Sequence, residues 1–168
     1  MLEQIKKSLV SQFEASLCMV NQCIAACQPE YWEGKIANDT FRQVAYHTLF
    51  FTDLYLSPAE DEFELRDLHS QGGDERGDAV SPGLSREETL GYAAICRQKV
   101  TESVGAETGD SLKGPSGFSW RKISRLELHV YNIRHIQHHV GQLSAYLRRV
   151  DPNFKDPKAL PWVGSGWR

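Results

Sequence analysis

Six histidines occur in the chain, and four of them, His129, His135, His138 and His139, fall in one eleven-residue window. Neutral imidazole is a common ligand for divalent transition metals, so the geometry of this window decides what chemistry it can do. The segment has a helical period. At about 100° per residue, with His135 at zero, Leu126, Ile133, Ile136, Val140, Leu143, Tyr146 and Leu147 spread over an apolar arc from about 20° to about 180°. His139 lies at about 40°, one turn from His135 on the edge of that arc, while His138 falls outside it at about −60°. Residues four apart share a helix face, so His135 and His139 can chelate one ion. Taken alone, such a pair is also compatible with an incidental or structural role.

A third histidine changes the reading. His47 lies in a helical segment, bracketed on its own face by Val44, Phe51 and Leu54. A histidine so placed can be an ordinary core residue, yet the inward-facing pair offers it a partner. Three neutral imidazoles with zinc-like geometry leave a fourth position for water or substrate, the pattern of a catalytic site. His129, at about 120°, reads as a buried histidine bonded to a neighbour, with lining the site as the alternative. His138 reads as solvent-facing or at a subunit contact. His69 lies in a polar loop and carries no assignable chemistry. Cys23 and Cys27 share a helix face and could hold a soft metal, but the simpler reading is small apolar core filler. Asp53, about 120° from His47, is a weak candidate for a general base. Gln142 and Tyr146 continue the His135/His139 face, either lining the site or packing.

Four helical segments must position these residues. Leu2, Ile5, Leu9, Phe13, Leu17, Val20, Ile24 and Cys27 advance by three or four and predict a first helix over about 2–27, stopped by Pro29. Thr40 with Gln43, and Ser85 with Glu88, are capping-box patterns that open helices over about 40–57 and 85–104. The last helix spans about 119–150, ended by Asp151-Pro152. Residues 57–84 form a loop rich in glycine, proline and acidic residues, with a helical turn expected around Glu62–Leu68. Residues 105–118 read as a connector that does not pack. The tail, 151–168, reads as an irregular strap docked through Trp162 and Trp167. No alternating strand pattern appears, so the expectation is an all-α single domain over 1–168, a four-helix bundle.

Bulk properties narrow the function. The chain has 168 residues, 40% hydrophobic and 24% charged, with a formal net charge of −3. That balance offers no basic field for nucleic acid or anionic lipid. The N-terminus lacks the apolar run of a signal peptide, and no stretch reaches the roughly 20 apolar residues of a membrane span. A cytoplasmic location is expected, with no nucleic-acid or membrane partner.

The string His135-Ile136-Gln137-His138-His139-Val140-Gly141-Gln142-Leu143, in a final helix ending Tyr146-Leu147-Arg148-Arg149, resembles the DinB/YfiT-like superfamily of metalloenzymes. So does His47 within Val44-Ala45-Tyr46-His47-Thr48-Leu49-Phe50-Phe51. The resemblance covers most of residues 1–150. It implies an up-down-down-up bundle, often a homodimer, with a divalent metal on His47, His135 and His139. It also implies a small-molecule substrate and chemistry of the kind seen in relatives: thiol transferases using bacillithiol, a mycothiol-dependent isomerase, and hydrolase-like members. A bound ion would activate a low-molecular-weight thiol or water as nucleophile, since it can bring the pKa of coordinated water to about 7. Zinc and nickel both suit imidazole ligands. The alternatives are a non-catalytic metal-binding or interaction protein and a vestigial site.

Overall fold

The computed structural model describes residues 1–69 and 83–167. Helix is the dominant structure, and the described residues are all-α apart from one hairpin of two-residue strands. Helix α1 spans Leu2–Ala26, and its stripe Leu9, Phe13, Leu17, Val20 and Ile24 is buried. Pro29 starts the one-turn helix α2, Pro29–Trp32. Strands β1, Lys35–Ile36, and β2, Asp39–Thr40, then pair antiparallel. Sequence alternation missed this hairpin because two-residue strands are too short to show a period.

Helix α3, Phe41–Leu56, starts at the expected capping box. The Gln43 N–H donates to Thr40 Oγ1 at 3.2 Å, and the Thr40 N–H donates to Gln43 Oε1 at 2.7 Å. Helix α4, Arg86–Ala106, opens on the same device, with Ser85 and Glu88 exchanging bonds of 3.2 and 2.7 Å. Each box satisfies two amide donors that the first helical turn would otherwise leave open.

Three expectations need correction between Pro58 and Arg125. Within the described part of the 57–84 loop, the helical turn is a 3₁₀ turn at Glu60–Glu62, ahead of the expected Glu62–Leu68; the rest of the loop, 70–82, lies outside the described residues. The 105–118 connector does pack. It contains the capped helix α5, Gly109–Lys113, and buries Leu112 and Phe118. Helix α6 spans Arg125–Val150 and starts at the Ser124 cap, later than about residue 119. Residues 116–123 are held instead in a turn by Ser116 N–H to Ile123 O at 3.0 Å, with Gly117 at φ 88°.

Helix α1 packs on α4 and α6, and α3 packs on the same two helices. The core between them includes Phe13, Phe41, Leu49, Tyr92, Ile136, Leu143 and Leu147. The tail docks, but not as expected from both tryptophans. Leu160 and Val163 are buried and Trp167 stacks on Arg97 at 4.3 Å, whereas Trp162 is 70% exposed. All four cysteines are buried outside any disulfide, and burial pushes the Cys23 and Cys27 thiols up to about 12. They serve as core filler, because a thiol held protonated is a poor metal ligand. No helix among the described residues is long and apolar enough to cross a membrane.

Candidate metal centre

The structure brings His47 of α3 together with His135 and His139 of α6. The ring nitrogen His135 Nε2 lies 3.4 Å from His47 Nε2 and 3.1 Å from His139 Nε2. One nitrogen from each residue falls within 4.8 Å of the others, a group that could hold a metal ion. Zinc–nitrogen bonds of about 2.0–2.1 Å at tetrahedral angles put two ligand nitrogens about 3.3 Å apart. The two observed spacings bracket that value.

The protonation states also fit an ion. His139 Nδ1–H donates to Gln142 Oε1 at 2.7 Å, which leaves the Nε2 lone pair pointing at the other two rings. Burial, then the charges of His139 and His47, brings His135 down to about 3. Burial brings His139 to about 4, against the raising effect of the Gln142 hydrogen bond. Both rings are therefore neutral near pH 7, as metal ligands must be. Two imidazole nitrogens 3.1 Å apart need a proton or a cation between their lone pairs. A single proton serves one pair of rings; a metal ion serves all three.

Aromatic rings wall the centre on one side. Phe51 lies 4.7 Å from the His47 ring and 5.8 Å from that of His135, while Tyr131 lies nearly parallel to His135 at 6.5 Å, an interplanar angle of 15°. Tyr55 joins them, 5.6 Å from both Phe51 and Tyr131. The guanidinium of Arg121 sits 4.2 Å over Tyr131 and bonds its hydroxyl.

The remaining candidates separate clearly. His138 is exposed, with its ring 5.0 Å from His139. His129 is fully buried and bonded to Glu107 Oε1 at 2.8 Å, so it does not line the site. Tyr146 donates to Tyr31 O at 3.2 Å and packs against Phe41; of the pair expected on this face, only Gln142 touches a ligand.

Asp53 is excluded as a general base. Its carboxylate is wholly buried between Lys99 Nζ at 2.6 Å and Arg66 Nε at 3.1 Å. Burial alone would raise its pKa, but the hydrogen bonds from Arg66 and Lys99 prevail and hold it below the usual carboxylate range. His69 corrects the sequence reading more sharply. It is buried, not adrift in a polar loop: its Nδ1 accepts the Arg66 N–H at 2.8 Å and its Nε2 meets Tyr92 Oη at 3.0 Å. The Tyr92 hydroxyl in turn donates to Asp53 at 3.1 Å.

Sequence reasoning also missed Glu107. Its carboxylate accepts from Arg125 and His129, both at 2.8 Å, and from Ser111 at 2.5 Å. Burial pushes it up, but the hydrogen bonds of His129, Arg125 and Ser111 bring it to about 2. Arg125 extends the network to the carbonyls of Leu56, at 3.2 Å, and Ser57, at 2.8 Å, tying the start of α6 to the end of α3. Within each local window no pattern marks these residues as partners.

No protein-family model matches the chain, and no curated protein or solved structure matches it.

Proposed function

We propose that the chain is a DinB/YfiT-like four-helix bundle, up-down-down-up, that holds a divalent metal on His47, His135 and His139 and uses it to activate a thiol or water nucleophile. The observation that carries this reading is the convergence of three Nε2 atoms, two contacts of which have the spacing of tetrahedral ligands. Support for the family comes from the His135–Leu143 string and from His47 standing opposite it on α3.

When bound, the ion supplies Lewis acidity that favours the anionic form of a thiol or water. The protein does the rest. Gln142 fixes the tautomer of His139. Phe51, Tyr55 and Tyr131 give one side of the centre an apolar surface that excludes water from the rings and suits an apolar electrophile. With Asp53 committed to its ion pairs, the substrate's own thiol or water loses its proton to solvent rather than to a carboxylate at the site. Zinc or nickel is the ion expected from an all-imidazole set. The protein is read as cytoplasmic and homodimeric, acting on a small molecule with a low-molecular-weight thiol as co-substrate.

Metal-loaded protein assayed with bacillithiol, mycothiol and glutathione against a panel of alkyl and epoxide electrophiles tests the reaction. Conjugation above background that disappears in His139→Ala supports it. Full metal with no turnover across the panel would leave the non-catalytic metal-binding reading in its place.

A further inference from the structure

The contacts around Asp53 lie outside the metal centre and close on themselves. The Arg66 N–H donates to His69 Nδ1 at 2.8 Å, and His69 Nε2 meets Tyr92 Oη at 3.0 Å. Tyr92 Oη meets Asp53 Oδ2 at 3.1 Å, and Arg66 Nε returns to the same oxygen at 3.1 Å. The proton positions are forced from both ends. A backbone N–H can only donate, so His69 Nδ1 carries a lone pair. An ionised carboxylate can only accept, so the Tyr92 hydroxyl points to Asp53. Between them His69 keeps its proton on Nε2 and gives it to Tyr92. The circuit is complete only with a neutral His69.

Three stretches of chain meet in it. Asp53 belongs to α3, Tyr92 to α4, and Arg66 and His69 to the segment that follows the 3₁₀ turn. Asp53 and Tyr92 are wholly buried, and His69 is 6% exposed. The His69 N–H also bonds Arg66 O at 2.9 Å, which makes 66–69 a tight turn. Phe63 of the same segment packs on Phe50 at 5.4 Å, and Phe50 packs on Phe51 at 5.5 Å. The segment therefore stacks behind the aromatic wall of the metal centre.

Charge opposes a proton on His69. The titratable and charged groups around the circuit are Asp53 and Tyr46 from α3, Tyr92, Cys96 and Lys99 from α4, and Arg66 from the segment itself. Burial pushes both phenols and the thiol up, so they stay neutral. What remains is one carboxylate already shared by two cations, Lys99 at 2.6 Å and Arg66 at 3.1 Å. An imidazolium would be a third cation, and its Nδ1–H would point at the Arg66 N–H. Burial, opposed by the charge of Asp53 and helped by those of Arg66 and Lys99, keeps His69 below its ordinary 6.5.

We infer that residues 63–69 form a pH-sensitive clasp: the circuit holds them on α3 and α4, and protonation of His69 breaks it and releases them while the helices stay folded. The inference does not depend on the metal reading. A released His69 takes up its proton near 6.5 and a clasped one only at lower pH. The clasp is therefore fully held above about 6.5 and loosens as pH falls, its opening constant rising by at most about tenfold per pH unit.

Amide hydrogen exchange of the full chain, resolved by NMR and corrected for the intrinsic rate at each pH, tests the clasp. The Arg66 and His69 amides should be protected at pH 7.5, with protection falling about five- to thirtyfold by pH 5 while amides inside α3 and α4 keep theirs. The His69 ring should titrate below 6.5. His69→Asn, whose Oδ1 can take the place of Nδ1 without titrating, should hold the Arg66 amide with no such fall. Should that variant not fold, the ring titration and amide exchange of the wild-type protein decide. Amides unprotected at pH 7.5, protection that ignores pH, or a fall shared by α3 and α4 would overturn the clasp. So would a ring titrating at or above 6.5, or an equal fall in His69→Asn.

Discussion

Gln142 accepts the Nδ1 proton of His139 at 2.7 Å, and this single bond turns the His139 Nε2 lone pair toward His135 and His47. The two residues are three apart on α6, so the helix itself sets their contact. Gln142→Leu should therefore weaken zinc binding about 10–100-fold while leaving the helical circular dichroism and the melting temperature close to the parent. Gln142→Glu, which keeps the acceptor, should restore most of the affinity. Equal zinc affinity in Gln142→Leu and wild type would show that the contact is only packing.

Glu107 predicts a specific pH dependence. Its carboxyl titrates at about 2 in the fold, below its ordinary 4.5, so the unfolded chain binds the proton first as pH falls. The stability it contributes is fully present above about 4.5 and is lost as pH drops toward 2. Breaking a buried ion pair on one side costs about 3–5 kcal/mol near neutrality. Glu107→Gln should be destabilised by that order in urea unfolding at pH 7, and the gap to wild type should shrink steadily below pH 4.5. A gap that stays constant from pH 7 to pH 2.5 would contradict the account.

Gly117 is held at φ 88°, where an added Cβ would overlap the carbonyl oxygen of Pro58. Its own carbonyl accepts the Glu60 N–H at 3.1 Å, so the turn before α6 and the 3₁₀ turn after α3 depend on one another. The left-handed backbone alone costs an L-residue about 1–2 kcal/mol, and the overlap adds to it. Gly117→Ala should lower the melting temperature by at least several degrees. A shift of under about one degree would mean that the turn relaxes freely.

How far the sequence anticipated these features follows from how local their causes are. The starts of α3 and α4 were legible because Thr40/Gln43 and Ser85/Glu88 complete their bonds within four residues. The choice of His139 over His138 was legible because helical phase needs only the spacing of apolar neighbours; His138 is indeed exposed. His69 was illegible for the opposite reason. Its burial is created by Tyr92 and Phe50 on other helices, and nothing in its own polar neighbourhood announces them. Helix α5 is shorter than the window in which a period can be seen. The Glu107–Arg125–His129 network joins residues 18 and 22 positions apart, and only the fold that brings Glu107, the C-cap of α4, to the start of α6 defines it.

Metal stoichiometry is the most direct measurement. The chain, purified without a histidine tag, should carry or take up about one equivalent of zinc or nickel by elemental analysis, and His135→Ala should lower this below about a tenth. Wild-type protein below a tenth of an equivalent after incubation with excess zinc or nickel, or an unchanged content in His135→Ala, would contradict the three-histidine centre.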